Sequence, residues 1–158
     1  TKKNSINLPI LSNIKKSNET VIRRCQIYIE KLIPKKNSKI SIFGLSFKNN
    51  SDDLRGSQYL KLYNLIKKKY HVKLYDNVVI KSKLIGQNLD IYNSNKLKIV
   101  RYSDKNLDNI IKSSKVVIPT IFDQKIFNYL KKNKSDLILD INNNYKKLNL
   151  RKSYFSFV

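Results

Sequence analysis

Between residues 8 and 32 apolar side chains return every three or four positions, through Leu11, Ile14, Val21, Ile22, Cys25, Tyr28, Ile29 and Leu32, with Asn18 on the same line. That spacing predicts one long amphipathic helix, roughly 40 Å from end to end at about 1.5 Å per residue. Pro34 and the polar run Lys35-Lys36-Asn37-Ser38 end it and form a linker. From Lys39 the pattern changes to short apolar runs alternating with helical stretches, which predicts an α/β fold with a parallel sheet. The strands are expected at Ile40–Phe43, Val72–Tyr75, Lys98–Val100, Val116–Pro119 and Leu137–Leu139. Helices are expected at Leu60–Lys68, with Leu62, Leu65 and Ile66 inward, at Val79–Leu84, at Leu107–Lys112 and at Asp123–Lys131. From Asn142 the tail is polar and then aromatic, with no element assigned. Two units result: a helical segment, residues 1–36, and a Rossmann-like domain, residues 37–158.

Composition narrows the class. A chain of 158 residues with 41% hydrophobic content can bury a substantial core. No apolar run is long enough to span a bilayer and no signal peptide is visible. A single cysteine excludes an internal disulfide, and no Cys/His cluster offers a metal site. A reducing cytoplasm is the expected setting. The net charge of +22 raises nucleic-acid or anionic-membrane binding. Against that, the lysines fall in every predicted element, from Lys15-Lys16 to Lys146-Lys147. Lysine, asparagine and isoleucine are abundant together while Gly is only 3, the joint bias of an AT-rich genome. A solvated basic surface without specific nucleic-acid recognition is therefore expected. The chain has no Met and opens on Thr1, so a piece of a longer protein is expected.

The densest chemistry lies in Ile40-Ser41-Ile42-Phe43-Gly44-Leu45-Ser46-Phe47-Lys48-Asn49-Asn50-Ser51-Asp52-Asp53-Leu54-Arg55. A buried strand meets a glycine turn, then a loop with one lysine, two aspartates and one arginine, then a helix. Open α/β sheets bind ligands at such a strand end. Lys48 and Arg55 suit phosphate oxygens as a point charge and a bidentate fork. Asp52 and Asp53 are expected to cap the coming helix and to orient Lys48 and Arg55 rather than to act as an acid/base pair. Only Gly44 follows the strand, whereas a dinucleotide fingerprint needs three glycines. The domain is therefore not expected to hold NAD by itself. Cys25 lies on the apolar stripe and reads as a small buried hydrophobe. His71 has no partner for catalysis nearby in the sequence.

G-L-S-F-K, two variable residues and S-D-D-L-R resembles the signature opening the C-terminal domain of the UDP-glucose/GDP-mannose dehydrogenase family. Leu8-Pro9-Ile10-Leu11 and Ser17-Asn18 are similar to the start of that family's central helix, and Leu107 to Ser114 to a later helix. Tyr75-Asp76-Asn77-Val78-Val79, Gly86-Gln87-Asn88 and Tyr92 resemble the GDP-mannose branch, and the likeness runs from about Leu8 to Asp140. The resemblance implies part of an NAD-dependent nucleotide-sugar 6-dehydrogenase that makes uronic acids for an exopolysaccharide such as alginate. It implies substrate contacts from Lys48 and Phe47 and a contact from Arg55 to NAD, which is bound mainly by an N-terminal domain outside this sequence. It implies a homodimer built through the long helix. The family's catalytic cysteine belongs to a G-G-x-C loop that this sequence does not contain, so no catalytic residue is assigned and the isolated chain is expected to be inactive. Gln58 and Gly56 depart from the usual proline and glutamate, and Ile141-Asn142-Asn143-Asn144 lacks an arginine found in some relatives. A basic nucleic-acid-binding module and a degenerate remnant without ligand stay open as other readings.

Overall fold

The computed structural model describes residues 9–46, 48–132, 137–148 and 154–156. Among them six strands form one parallel sheet: β1 (Lys39–Phe43), β2 (His71–Tyr75), β3 (Ile99–Val100), β4 (Val116–Pro119), β5 (Ile138–Asp140) and β6 (Tyr154–Ser156). Their spatial order is β3-β2-β1-β4-β5-β6, the doubly wound order that reverses direction between β1 and β4. Five helices accompany them: α1 (Pro9–Leu32), α2 (Gln58–Ile66), α3 (Gly86–Ser94), α4 (Asp104–Lys112) and α5 (Gln124–Lys132).

The central strands are mostly apolar and almost wholly buried because helices cover both faces of the sheet. Alternate side chains then divide into two cores. Ile40, Ile42, Val116, Ile118 and Leu139 face α1, α2 and α3, whereas Phe43, Val117 and Ile138 face α4 and α5. Ser41 is the one polar residue among the four buried positions of β1, and its hydroxyl meets that of Ser114 at 2.6 Å in the buried interior. At the margin β2 is buried only over its last two residues and β3 has none fully buried.

The N-terminal helix packs on this domain. Ile22, Cys25, Ile29 and Ile33 are buried in the first core. Lys69 Nζ reaches Glu30 Oε2 at 2.9 Å, and the Tyr70 hydroxyl donates to the Ile33 carbonyl at 2.8 Å, tying the end of α1 to the segment after α2. The apolar stripe is thus largely covered by its own chain, while Ile14 and Leu32 on the same line stay exposed.

Three expectations are corrected. Val79–Leu84 is not a helix; it holds a 3-10 turn at Lys81–Lys83, and the helix is α3, starting at Gly86. The reason is Asp76, whose Oδ1 accepts the N–H groups of Val78 and Val79 and holds that segment in a turn. Leu65 points outward, 38% exposed, because only Tyr59, Leu60, Leu62 and Ile66 of α2 are buried. The tail after Asn142 contributes β6, whose Tyr154–Ser156 backbone pairs with Ile138–Asp140.

Candidate functional site

The loop from β1 to α2 sits where the sheet order reverses. Its first turn is tight. Gly44 has φ +92°, a region costly for residues with a Cβ. A Cβ there would stand 2.7 Å from Thr120 Oγ1 and 2.8 Å from Ile121 Cγ2, so only glycine lets the β4 segment pass. The Thr120 hydroxyl, 2.9 Å from the Gly44 carbonyl, locks the two strand ends together.

Both ends of the loop are anchored by buried polar contacts. The Leu45 N–H donates to Asp76 Oδ2 at 3.0 Å, and the Leu45 carbonyl accepts the Ser57 hydroxyl at 2.5 Å. Ser57 Oγ in turn accepts the Leu60 N–H at 3.1 Å and caps α2. Helix capping therefore falls to Ser57, not to Asp52 or Asp53 as expected. Leu54 is 1% exposed, and its N–H donates to Asn88 Oδ1 of α3 at 3.1 Å.

Between these anchors the charged residues face outward. Asp53 receives Arg55 as a fork, Nε to Oδ1 at 2.8 Å and Nη2 to Oδ2 at 2.7 Å, and also accepts the Arg55 N–H at 3.0 Å. These hydrogen bonds from Arg55, with a smaller contribution from the charge of Lys48, hold the Asp53 carboxyl down at about 2. The orienting role expected of Asp53 toward Arg55 is thus observed. Lys48 is exposed, and its carbonyl accepts the Ser46 hydroxyl at 2.7 Å. Phe47 lies outside the described residues.

Several residues of the site had no role in the sequence reading. Asp76 is 1% exposed and accepts three backbone N–H groups, from Leu45, Val78 and Val79. An acidic residue ending the second strand is a known ribose-binding signal, but here the carboxylate is committed to backbone. Together with the filled space around Gly44, this leaves the turn after β1 without the close backbone approach that a dinucleotide's pyrophosphate needs. Asn142 donates to the Thr120 carbonyl at 2.7 Å and to the Tyr59 hydroxyl, tying the segment after β5 to the end of β4 and to α2. Cys25 is fully buried, and burial pushes its thiol up to about 12, too high for a reactive thiolate. His71 begins β2 on the exposed surface.

Comparison with known proteins agrees with this geometry. The chain is 29% identical over 114 residues to a GDP-mannose 6-dehydrogenase of Pseudomonas putida, covering 72% of this chain and 25% of the relative. It is 27% identical over 111 residues to the enzyme of the same name from Pseudomonas aeruginosa, covering 70% and 25%. The chain thus spans about a quarter of the length of the curated relatives it matches. Among solved structures, a GDP-mannose dehydrogenase from Pseudomonas aeruginosa shares the fold with a TM-score of 0.64 at 24% identity, over 88% of this chain and 32% of that one. A UDP-D-ManNAc dehydrogenase from Pyrococcus horikoshii does so with a TM-score of 0.63 at 16% identity, over 98% and 35%. With residues 41–147 matching the family's UDP binding domain, the chain belongs to the UDP-glucose/GDP-mannose dehydrogenase family.

Proposed function

We propose that this chain supplies the nucleotide-sugar-binding part of an NAD-dependent 6-dehydrogenase that converts GDP-mannose, or a related UDP-sugar, to its uronic acid. The observation that carries this reading is the loop after β1, with Lys48, Asp53 and Arg55 displayed at the reversal point of the sheet and both loop ends fixed by buried contacts. Lys48 contacts the diphosphate as a point charge, with Phe47 beside the nucleoside. Arg55, held by Asp53 with its side chain 59% exposed, is presented to NAD carried by residues outside this sequence. The dinucleotide supplies the hydride acceptor; this chain's share is to bind and orient the sugar nucleotide. The one cysteine of the sequence is buried in the core, so the 158 residues alone carry no nucleophile for the oxidation. The setting is cytoplasmic. Two copies associate through the exposed side of α1, where Ile14 and Ile27 are 54% and 66% exposed.

Calorimetry with GDP-mannose and UDP-glucose tests the reading. Binding should be weak and should lose about 1–3 kcal/mol on Lys48→Ala, the worth of a charge-assisted contact. No NADH should form with the chain alone. Sugar-nucleotide binding that is absent, or untouched by Lys48→Ala, would overturn the assignment.

A further inference from the structure

A second cleft opens on the same edge of the sheet. At the carboxyl ends of β2 and β3 lies a cleft of about 680 Å³, bordered by the 79–84 segment and α3. That volume falls within the roughly 300–1,000 Å³ of small-molecule sites. No described residue of the Gly44–Ser57 loop lines it.

The lining has two parts. Val79, Leu84 and Tyr92, respectively 1%, 4% and 8% exposed, form an apolar wall belonging to the packed core. Lys81 and Arg101 come from separate segments and are both exposed. Lys81 Nζ stands over the Tyr92 ring, 5.9 Å from its centroid. Among the described residues the one carboxylate in the lining is Asp76, and its oxygens accept three backbone N–H groups. Fixed charge available to a ligand is therefore positive, and the remaining surface favours a flat apolar body.

We propose that this cleft is a second binding site, for a small nucleoside phosphate whose base lies against the wall at Tyr92 and whose phosphate is held by Lys81 and Arg101. Arginine offers the phosphate a fork and lysine a mobile point charge. An aromatic wall accepts any base face without reading its edge. Asp76 is 1% exposed and already accepts three backbone N–H groups, so recognition falls to the phosphate and the ring face. This site stands independently of the nucleotide-sugar reading, since Lys48 takes no part in it.

The test is an NMR titration of the 158-residue chain with guanosine 5′-monophosphate, with guanosine and inorganic phosphate as separate arms, repeated in Lys48→Ala. Saturable shifts should appear at the amides of Ser82, Tyr92 and Arg101 in both proteins. Guanosine and phosphate alone should each bind at least about tenfold more weakly, as expected when each supplies half of the contacts. The double variant Lys81→Ala/Arg101→Ala changes two exposed side chains, so the fold is kept, and it should weaken the nucleotide by about tenfold or more. Three results would each overturn the proposal: no saturable shift at millimolar nucleotide, shifts confined to the residues around Lys48 and abolished by Lys48→Ala, or affinity unchanged in the double variant.

Discussion

The loop after β1 and the segment after β2 leave the same edge of the sheet and are built in opposite ways. The first puts its charges outside and its anchors inside: Lys48 and Arg55 are exposed, while Leu45, Leu54 and Ser57 are buried and hydrogen-bonded. The second lays an apolar wall into a cleft and leaves its cations at exposed positions. A loop of the first kind displays recognition groups but draws the rest of its binding surface from elsewhere. A segment of the second kind walls a cleft together with α3 and the end of β3. Asp76 joins them, since it lines the cleft and holds the first residue after the Gly44 turn.

The comparison breaks most severely at Gly44. Gly44→Ala forces a Cβ into a positive-φ position against Thr120 and Ile121. Strain and overpacking together should cost about 3 kcal/mol or more. A urea titration would show the loss as a lower midpoint with unchanged slope. A midpoint near wild type would mean that β4 can move away and that the turn is not the fixed point described above.

Asp76→Ala should come next. It leaves the N–H groups of Leu45, Val78 and Val79 without their acceptor, at a cost of about 2–4 kcal/mol overall. Because the carboxylate serves both regions, amide hydrogen exchange should accelerate at Leu45 and at Val79 together. Faster exchange at only one of them would separate the regions that Asp76 is argued to join.

The smallest effect belongs to the exposed ion pair. The Asp53 carboxyl sits at about 2, below the ordinary range, chiefly through hydrogen bonds from Arg55. A depressed folded value means that the stabilisation is fully present above the unfolded carboxyl's titration near pH ~4. It is lost as pH falls from there through about 2. An NMR titration of Asp53 should give a midpoint near that value, and Arg55→Ala should raise it toward the ordinary range. The change in global stability should be slight because the pair is solvated. A midpoint unmoved by Arg55→Ala would show that the fork does not persist in solution.

Much of this molecule was legible as pattern. The short, largely apolar runs at Ile40–Phe43 and Val116–Pro119 announced strands of a parallel sheet, and both are central in it. The charged loop and its family likeness were readable because their residues are contiguous. The sequence failed where a contact between distant residues decided the local outcome. Val79–Leu84 carries enough apolar residues to pass for a helix, but the Asp76 carboxylate turns it. Tyr154–Ser156 has no strand signal strong enough by itself and becomes β6 only by pairing with β5. Leu65 has the spacing of an inward residue, but α2 turns only one side of itself to the core.

By itself, then, the sequence determined the α/β alternation, the long first helix, the family and the identity of the charged loop, because each is written in local spacing or in a contiguous motif. Tertiary structure alone decided that α1 covers its stripe against its own domain, that Ser57 rather than an aspartate caps α2, and that Asp76 is spent on backbone N–H groups. It also decided that Lys81 and Arg101, twenty residues apart in the chain, share one cleft. Each of these depends on burial and on partners far along the chain, and a hydrogen bond or an apolar contact exists only once the fold has brought its two halves together.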